Sequence, residues 1–191
     1  MKKVILIHCY TSSPKLRKYQ IISRELAKLS IEHSIPAMPG DLYPKSRDWL
    51  AIIDKEVRKS KEPVVLVGHS LGTRAVLLYL DKYNQKVDTV ILFAAFNNDY
   101  RKNGERRNWN YKDFFDYALN LEKVKEKASK FIIIHSKDDD SIEYQQALDI
   151  SNDLAAELIT YQNMGHLSGE EKAKENAAVF LKYIKLALSN Y

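Results

Sequence analysis

The chain has one cysteine and six glycines among 191 residues, and no block of charge of one sign. A single cysteine excludes an intrachain disulfide and a cysteine-based metal cluster. That usage fits a reducing compartment, so the cytoplasm is the expected location. The opening apolar run, Val4–Ile7, has four residues, against the roughly 7–15 that a secretory signal core requires. It reads instead as a first strand. Cys9 follows His8 rather than a small residue, so no lipid anchor and no membrane attachment are expected. The formal charge of +5 could favour acidic partners, yet the lysines are scattered along helices among glutamates, which describes a solvated surface.

What is present fits one soluble domain over residues 1–191, since single cores usually hold about 100–200 residues. Hydrophobic residues make up 45% and charged residues 29%, near the globular average, which argues against disorder. Short apolar runs alternate with stretches of helical period, the pattern of βαβ units in a mostly parallel sheet with helices on both faces. The predicted strands are Val4–Ile7, Pro63–Val67, Thr89–Phe93, Phe131–Ile134 and Leu158–Tyr161, with a short one near His33–Ile35. Helical patterns cover Leu16–Leu29, Trp49–Val57 after a cap at Ser46, Ala75–Tyr83, Leu121–Ala128, Tyr144–Leu154 and Glu170–Leu188. The stretch 97–120 breaks the alternation, mixing Arg101, Lys102, Arg106 and Arg107 with Trp109, Tyr111, Phe114, Phe115 and Tyr117. An insertion at the strand ends predicts a small cap. The plainer alternative is a solvated basic loop, and without a stacking-platform motif no nucleic-acid partner is expected.

The chemistry is concentrated in Gly68-His69-Ser70-Leu71-Gly72, which follows the buried strand and opens a helix. A sharp strand-to-helix turn strains the serine backbone and exposes its hydroxyl, and Gly68 and Gly72 remove side chains that would collide there. The helix that follows aims its N-terminal amides at the site, where negative charge develops during acyl transfer. Spacing alone is weak, since such a pentapeptide arises by chance in roughly one chain in twenty of this length. The flanking strand and helix, in a chain of few glycines, make Ser70 the candidate nucleophile.

A serine hydroxyl needs a base, and the imidazole base needs an orienting carboxylate. Ser136-Lys137-Asp138-Asp139-Asp140 follows one predicted strand, and Gly165-His166 follows the last. The chain order Ser, Asp, His is that of the α/β-hydrolase arrangement. His166 is the preferred base; Asp139 is favoured over Asp138, with Asp140 last, the others capping the next helix or facing water. His8, His69 and Asp138 are candidates for lining the pocket, although a hydrogen-bonded structural role is the plainer reading for His8 and His135. Tyr10 and Leu71 are expected to supply the oxyanion-hole amides. Cys9 lacks a strained turn and a charged neighbour, so it reads as a small buried residue rather than a nucleophile.

Together Ile7-His8-Cys9-Tyr10, Gly68-His69-Ser70-Leu71-Gly72, Ser136-Lys137-Asp138-Asp139 and Gly165-His166 resemble the small single-domain serine hydrolases of the retinoblastoma-binding-protein-like family, within the α/β-hydrolase superfamily. The resemblance implies an α/β-hydrolase fold with a minimal cap and a Ser-Asp-His triad whose acid corresponds to Asp139. Two positions depart from the family pattern: its first-loop His-Gly is His8-Cys9 here, and a proline after the acid loop is Glu143.

The expected reaction is hydrolysis of a small-molecule acyl substrate, an ester with thioesters or amides as variants, through an acyl-enzyme on Ser70. That route requires no metal and no organic cofactor. The alternatives are a catalytically weak binding or regulatory protein on the same fold, and a regulator that grips an acidic partner through Arg101–Arg107. Nothing in the sequence sets the oligomeric state, with which a monomer is compatible.

Overall fold

In a computed structural model, which describes residues 2–100 and 104–189, six strands form one sheet whose pairings are all parallel. Arg101 and Lys102 lie outside the described residues. The strands are β1 (Lys3–Ile7), β2 (His33–Ser34), β3 (Val64–His69), β4 (Val87–Phe93), β5 (Ala128–Ser136) and β6 (Glu157–Tyr161), in the order β2-β1-β3-β4-β5-β6. The mostly parallel sheet with helices on both faces expected from the alternation is borne out, and the sheet is wholly parallel among these strands.

Among the described residues six α-helices pack on the sheet: α1 (Arg17–Lys28), α2 (Ser46–Lys59), α3 (Leu71–Lys82), α4 (Leu121–Lys125), α5 (Tyr144–Leu154) and α6 (Ala173–Ser189). Successive strand residues point to opposite faces, so both faces are apolar where both are covered. Val4, Leu6, Val65 and Val67 pack with Tyr19, Ile22 and Leu26 of α1 and Phe180 and Ile184 of α6. Ile5, Ile7, Val64 and Leu66 face the other way, against Trp49, Leu50 and Ile53 of α2 and the core face of α3. No helix among the described residues is long and apolar enough to cross a membrane.

Three boundaries differ from expectation for identifiable reasons. Ser46 is not a cap but the first helical residue of α2, with Lys45 at the N-cap; the acceptor comes from elsewhere, because Ser46 N–H and O–H both donate to Asp113 Oδ2, at 2.8 and 3.0 Å. The helix predicted over 121–128 stops at Lys125, since Ala128 pairs with Val87 and already belongs to β5. Helix α3 starts directly after Ser70 rather than at Ala75, as an elbow without an intervening loop requires.

The sheet order places the site. From β1 the chain moves outward to β2, then returns to β3 on the other side, so connections diverge at the carboxyl ends of β1 and β3. Ligands collect at such a switch point in open parallel sheets. The loop after β1 and Ser70 after β3 meet there.

Candidate active site

Ser70 has φ 53° and ψ −121°, a left-handed backbone that a non-glycine residue adopts only under constraint. The constraint is visible. Ser70 N–H donates to Phe93 O at 2.9 Å, while Thr73 N–H and O–H both donate to Ser70 O, at 2.8 and 2.7 Å. A Cβ on Gly68 would lie 2.8 Å from Gly72 O and from the Thr73 backbone, and one on Gly72 would lie 2.8 Å from His8 O. Both glycines are therefore required by backbone approach, Gly72 because α3 is pressed onto the end of β1.

Three side chains from three loops meet at this turn. Ser70 Oγ lies 2.9 Å from His166 Nε2, and His166 Nδ1 lies 2.8 and 3.0 Å from the two oxygens of Asp139. The carboxylate can only accept, so Nδ1 carries the proton and Nε2 presents its lone pair to the serine hydroxyl. Asp139 Oδ1 also accepts from Ser141 N–H and Ile142 N–H, each at 2.9 Å. Burial works against ionisation of Asp139, but donors from His135, His166 and Ile142 outweigh it and hold the carboxyl well below the usual range.

The neighbouring aspartates are used differently. Asp138, weighed as a triad member and as lining, accepts from Ser136 O–H and, at 3.0 Å, from Gly165 N–H. Those two donors, Ser136 first, lower its pKa. Ser136 Oγ in turn accepts from Met164 N–H at 3.0 Å. Asp138 thus ties the acid loop to the histidine loop instead of capping a helix or bordering the cleft. Asp140 borders the cleft and accepts from Ser141 O–H.

A cleft of about 480 Å³ opens over Ser70 and His166, bordered by Tyr10, Leu71, Phe96, Arg107, Tyr111 and Ile142, among others. His8 and His69 are buried behind it rather than lining it. His8 Nδ1–H donates to Cys9 O at 2.9 Å and its Nε2 accepts from Met38 N–H at 3.0 Å. Burial lowers its pKa, partly countered by the Cys9 carbonyl. His69 Nε2–H donates to His166 O at 3.0 Å, on the side of the His166 ring away from the cleft. Cys9 is half-buried and borders the cleft, more accessible than a small core residue.

The described residues of the segment 97–120 border this cleft through Arg107, Asn108 and Tyr111. Its anchor is Arg74, one turn after Ser70 and fully buried. Arg74 donates to Phe114 O at 2.8 Å, Tyr117 O at 2.6 Å and Asn97 Oδ1 at 2.5 Å. Gln146 Oε1 accepts from Asn97 and Asn98 N–H at 2.9 and 3.0 Å. Arg107 donates to Ser141 O and pairs with Glu143, the N-cap residue of α5; the departure at Glu143 therefore links this segment to the acid loop. Arg106 pairs with Asp99 and stacks on Trp109. Sequence reasoning passed over Arg74, although a lone charge directly before the apolar run Ala75–Leu80 was a signal, and passed over Ser136, which gave none.

The wholly parallel sheet, the strained serine turn and the loops meeting at the switch point define an α/β hydrolase. Residues 4–179 match the serine hydrolase family, and the chain belongs to it. YdeN of Bacillus subtilis (strain 168) is 26% identical over 172 residues, covering 89% of this chain and 88% of the relative. Serine hydrolase RBBP9 of Rattus norvegicus is 25% identical over 134 residues, 70% of this chain and 68% of that protein, which bears out the family resemblance. The crystal structure of the ydeN gene product from B. subtilis superposes with a TM-score of 0.84 at 22% identity, covering 100% of both chains. Est1E from Butyrivibrio proteoclasticus shares the fold at a TM-score of 0.72 and 16% identity, over 99% of this chain and 89% of that one.

Proposed function

We propose that this hydrolase cleaves small carboxylic esters through an acyl-enzyme on Ser70, with His166 as general base and acid and Asp139 as its orienting carboxylate. The observation that carries this reading is the unbroken hydrogen-bonded chain from Asp139 through His166 to Ser70 at the cleft floor. Ser70 Oγ attacks the acyl carbon as His166 Nε2 takes its proton, and Asp139 stabilises the imidazolium. The oxyanion is met by the N–H of Leu71, first residue of α3, and by that of Tyr10, both on the cleft wall. His166 returns the proton to the leaving alcohol; a water deprotonated by His166 then releases the acid and restores Ser70. The described residues of 97–120 act as the small cap, and with Phe96, Tyr111 and Ile142 bordering the cleft they favour a short or medium acyl group. No step calls for a metal or organic cofactor.

The test is hydrolysis of p-nitrophenyl esters of increasing acyl length, together with labelling by a fluorophosphonate. Ser70→Ala is expected to cost on the order of a million-fold in turnover and to abolish labelling. Folded wild-type protein that is no faster than Ser70→Ala on every ester would overturn the ester assignment, and the same comparison on thioesters and anilides would then decide the acyl class.

A further inference from the structure

Helix α1 carries a lysine on its buried stripe: Lys18, Ile22 and Leu26 follow one another at helical spacing, and Lys18 is 5% exposed. Its partners are a carbonyl and an imidazole rather than a carboxylate. Nζ donates to Leu167 O at 2.7 Å and lies 3.3 Å from His69 Nδ1. The rings of Tyr19 and Phe180 each have their centroid 4.8 Å from it. Nothing in the reaction outlined above uses this ammonium, and a buried cation is costly unless its hydrogen bonds achieve something.

We propose that Lys18 is a positioning residue that locks the histidine loop to the nucleophile elbow. The inference rests on the assignment of Ser70 and His166 made above. His69, the residue before Ser70, must carry its proton on Nε2 to donate to His166 O. Nδ1 is then an acceptor, and the donors facing it are Lys18 Nζ and Tyr19 O–H, the latter at 3.1 Å. The lysine thus supports, together with Tyr19, the His69 tautomer that donates to His166 O and, through its second hydrogen bond, holds the next carbonyl along the loop. The carbonyls of residues 166 and 167 are pinned by one buried pair.

The loop has reason to need such a pin. Gly165 and Leu167 on either side of the base both have positive φ, 52° and 55°, and a non-glycine residue persists there only when its surroundings over-determine it. Asp138 and Ser136 hold the loop from the acid side through Gly165 and Met164; Lys18 and His69 hold it from the elbow side. Electrostatics agrees with the geometry. Burial, then Lys18, then His166 push the His69 pKa well below its ordinary value, so His69 stays neutral. Burial lowers Lys18 to about 8, with Cys9 and Glu170 opposing, so the ammonium is retained at neutral pH.

The experiment compares wild type with Lys18→Met, which keeps length and apolarity, and Lys18→Gln, which restores a donor without charge. Two readouts are taken on protein shown to be folded by circular dichroism: ester kinetics, and hydrogen exchange of the segment 163–168. Lys18→Met is expected to lower kcat by about ten- to hundredfold, as loss of alignment does, with KM within about twofold. Exchange in 163–168 should rise at least about tenfold with the other elements unchanged, and Lys18→Gln should recover part of both. Unchanged exchange in Lys18→Met overturns the proposal, as does an unchanged kcat or an exchange increase spread over the whole chain. Wild type inactive on every acyl substrate would sink the Ser70 assignment instead, and the exchange comparison would still decide whether Lys18 holds the loop.

Discussion

Arg74 offers a test of how the segment beside the cleft is held, because one side chain anchors both of its ends. Consider Arg74→Met. The guanidinium makes three hydrogen bonds, to Phe114 O, Tyr117 O and Asn97 Oδ1, and sits 4.9 Å from the Phe115 ring. Bonds from a charged donor are worth about 1.5–3 kcal/mol each, so the gross loss is on the order of 5–9 kcal/mol. Burial offsets part of this. Desolvation pulls the Arg74 pKa to about 10, and at 1.36 kcal/mol per unit that is roughly 3 kcal/mol of lost solvation that methionine does not suffer. The net cost is therefore about 2–6 kcal/mol, a range that brackets the cost of breaking a buried charged network. At about 2–4 °C per kcal/mol for a chain of this size, Tm should fall by roughly 4–24 °C. Thermal unfolding and limited proteolysis measure it together: the first new cuts should fall within 97–120, and ester kcat/KM should drop before global unfolding begins. Arg74→Lys should behave much more like methionine than like arginine, since one ammonium does not span three acceptors. A Tm within 2 °C of wild type with an unchanged cleavage pattern would refute the anchor.

Two further outcomes follow from the geometry. Asp139→Asn should lower ester turnover by about four orders of magnitude, because an amide in that place favours the wrong imidazole tautomer; Asp138→Asn keeps an acceptor for Gly165 N–H and should stay within about tenfold. Equal losses in the two variants, read by steady-state kinetics, would contradict the division of roles. Lowering the pH from 7.5 toward 5.5 should reduce Tm. His8 and His69 both have folded pKa values below the ordinary 6.5, so the unfolded chain binds more protons in that window and stability is lost at up to ~1.4 kcal/mol per pH unit for each. Asp99, which burial raises to about 6 despite Arg106, opposes this by at most one proton. A Tm that climbs on acidification, followed by scanning fluorimetry, would show that neither imidazole is held neutral.

Local pattern alone determined most of the framework of this protein. Strand residues buried on both faces read as short unbroken apolar runs, and Pro63–Val67, Thr89–Phe93 and Phe131–Ile134 were visible for that reason. The elbow was legible because its requirement is local: a strand, two glycines that backbone contacts demand, and a helix. Chain order then led to an acid after β5 and a base after β6. Element ends were less legible, since Ala128, Ser129 and Lys130 extend β5 with residues that no strand pattern reveals. What the tertiary structure decided was which side chains turn toward one another. Three consecutive aspartates share composition and differ in direction; only the turn after β5 aims Asp139 at His166 and Asp138 at Gly165. The supports are more distant still. Lys18 reaches Leu167, and Arg74 reaches Phe114 and Tyr117, across separations that no periodicity encodes. A parallel sheet brings its connections to one edge, so local chemistry names the candidates and long-range packing chooses among them.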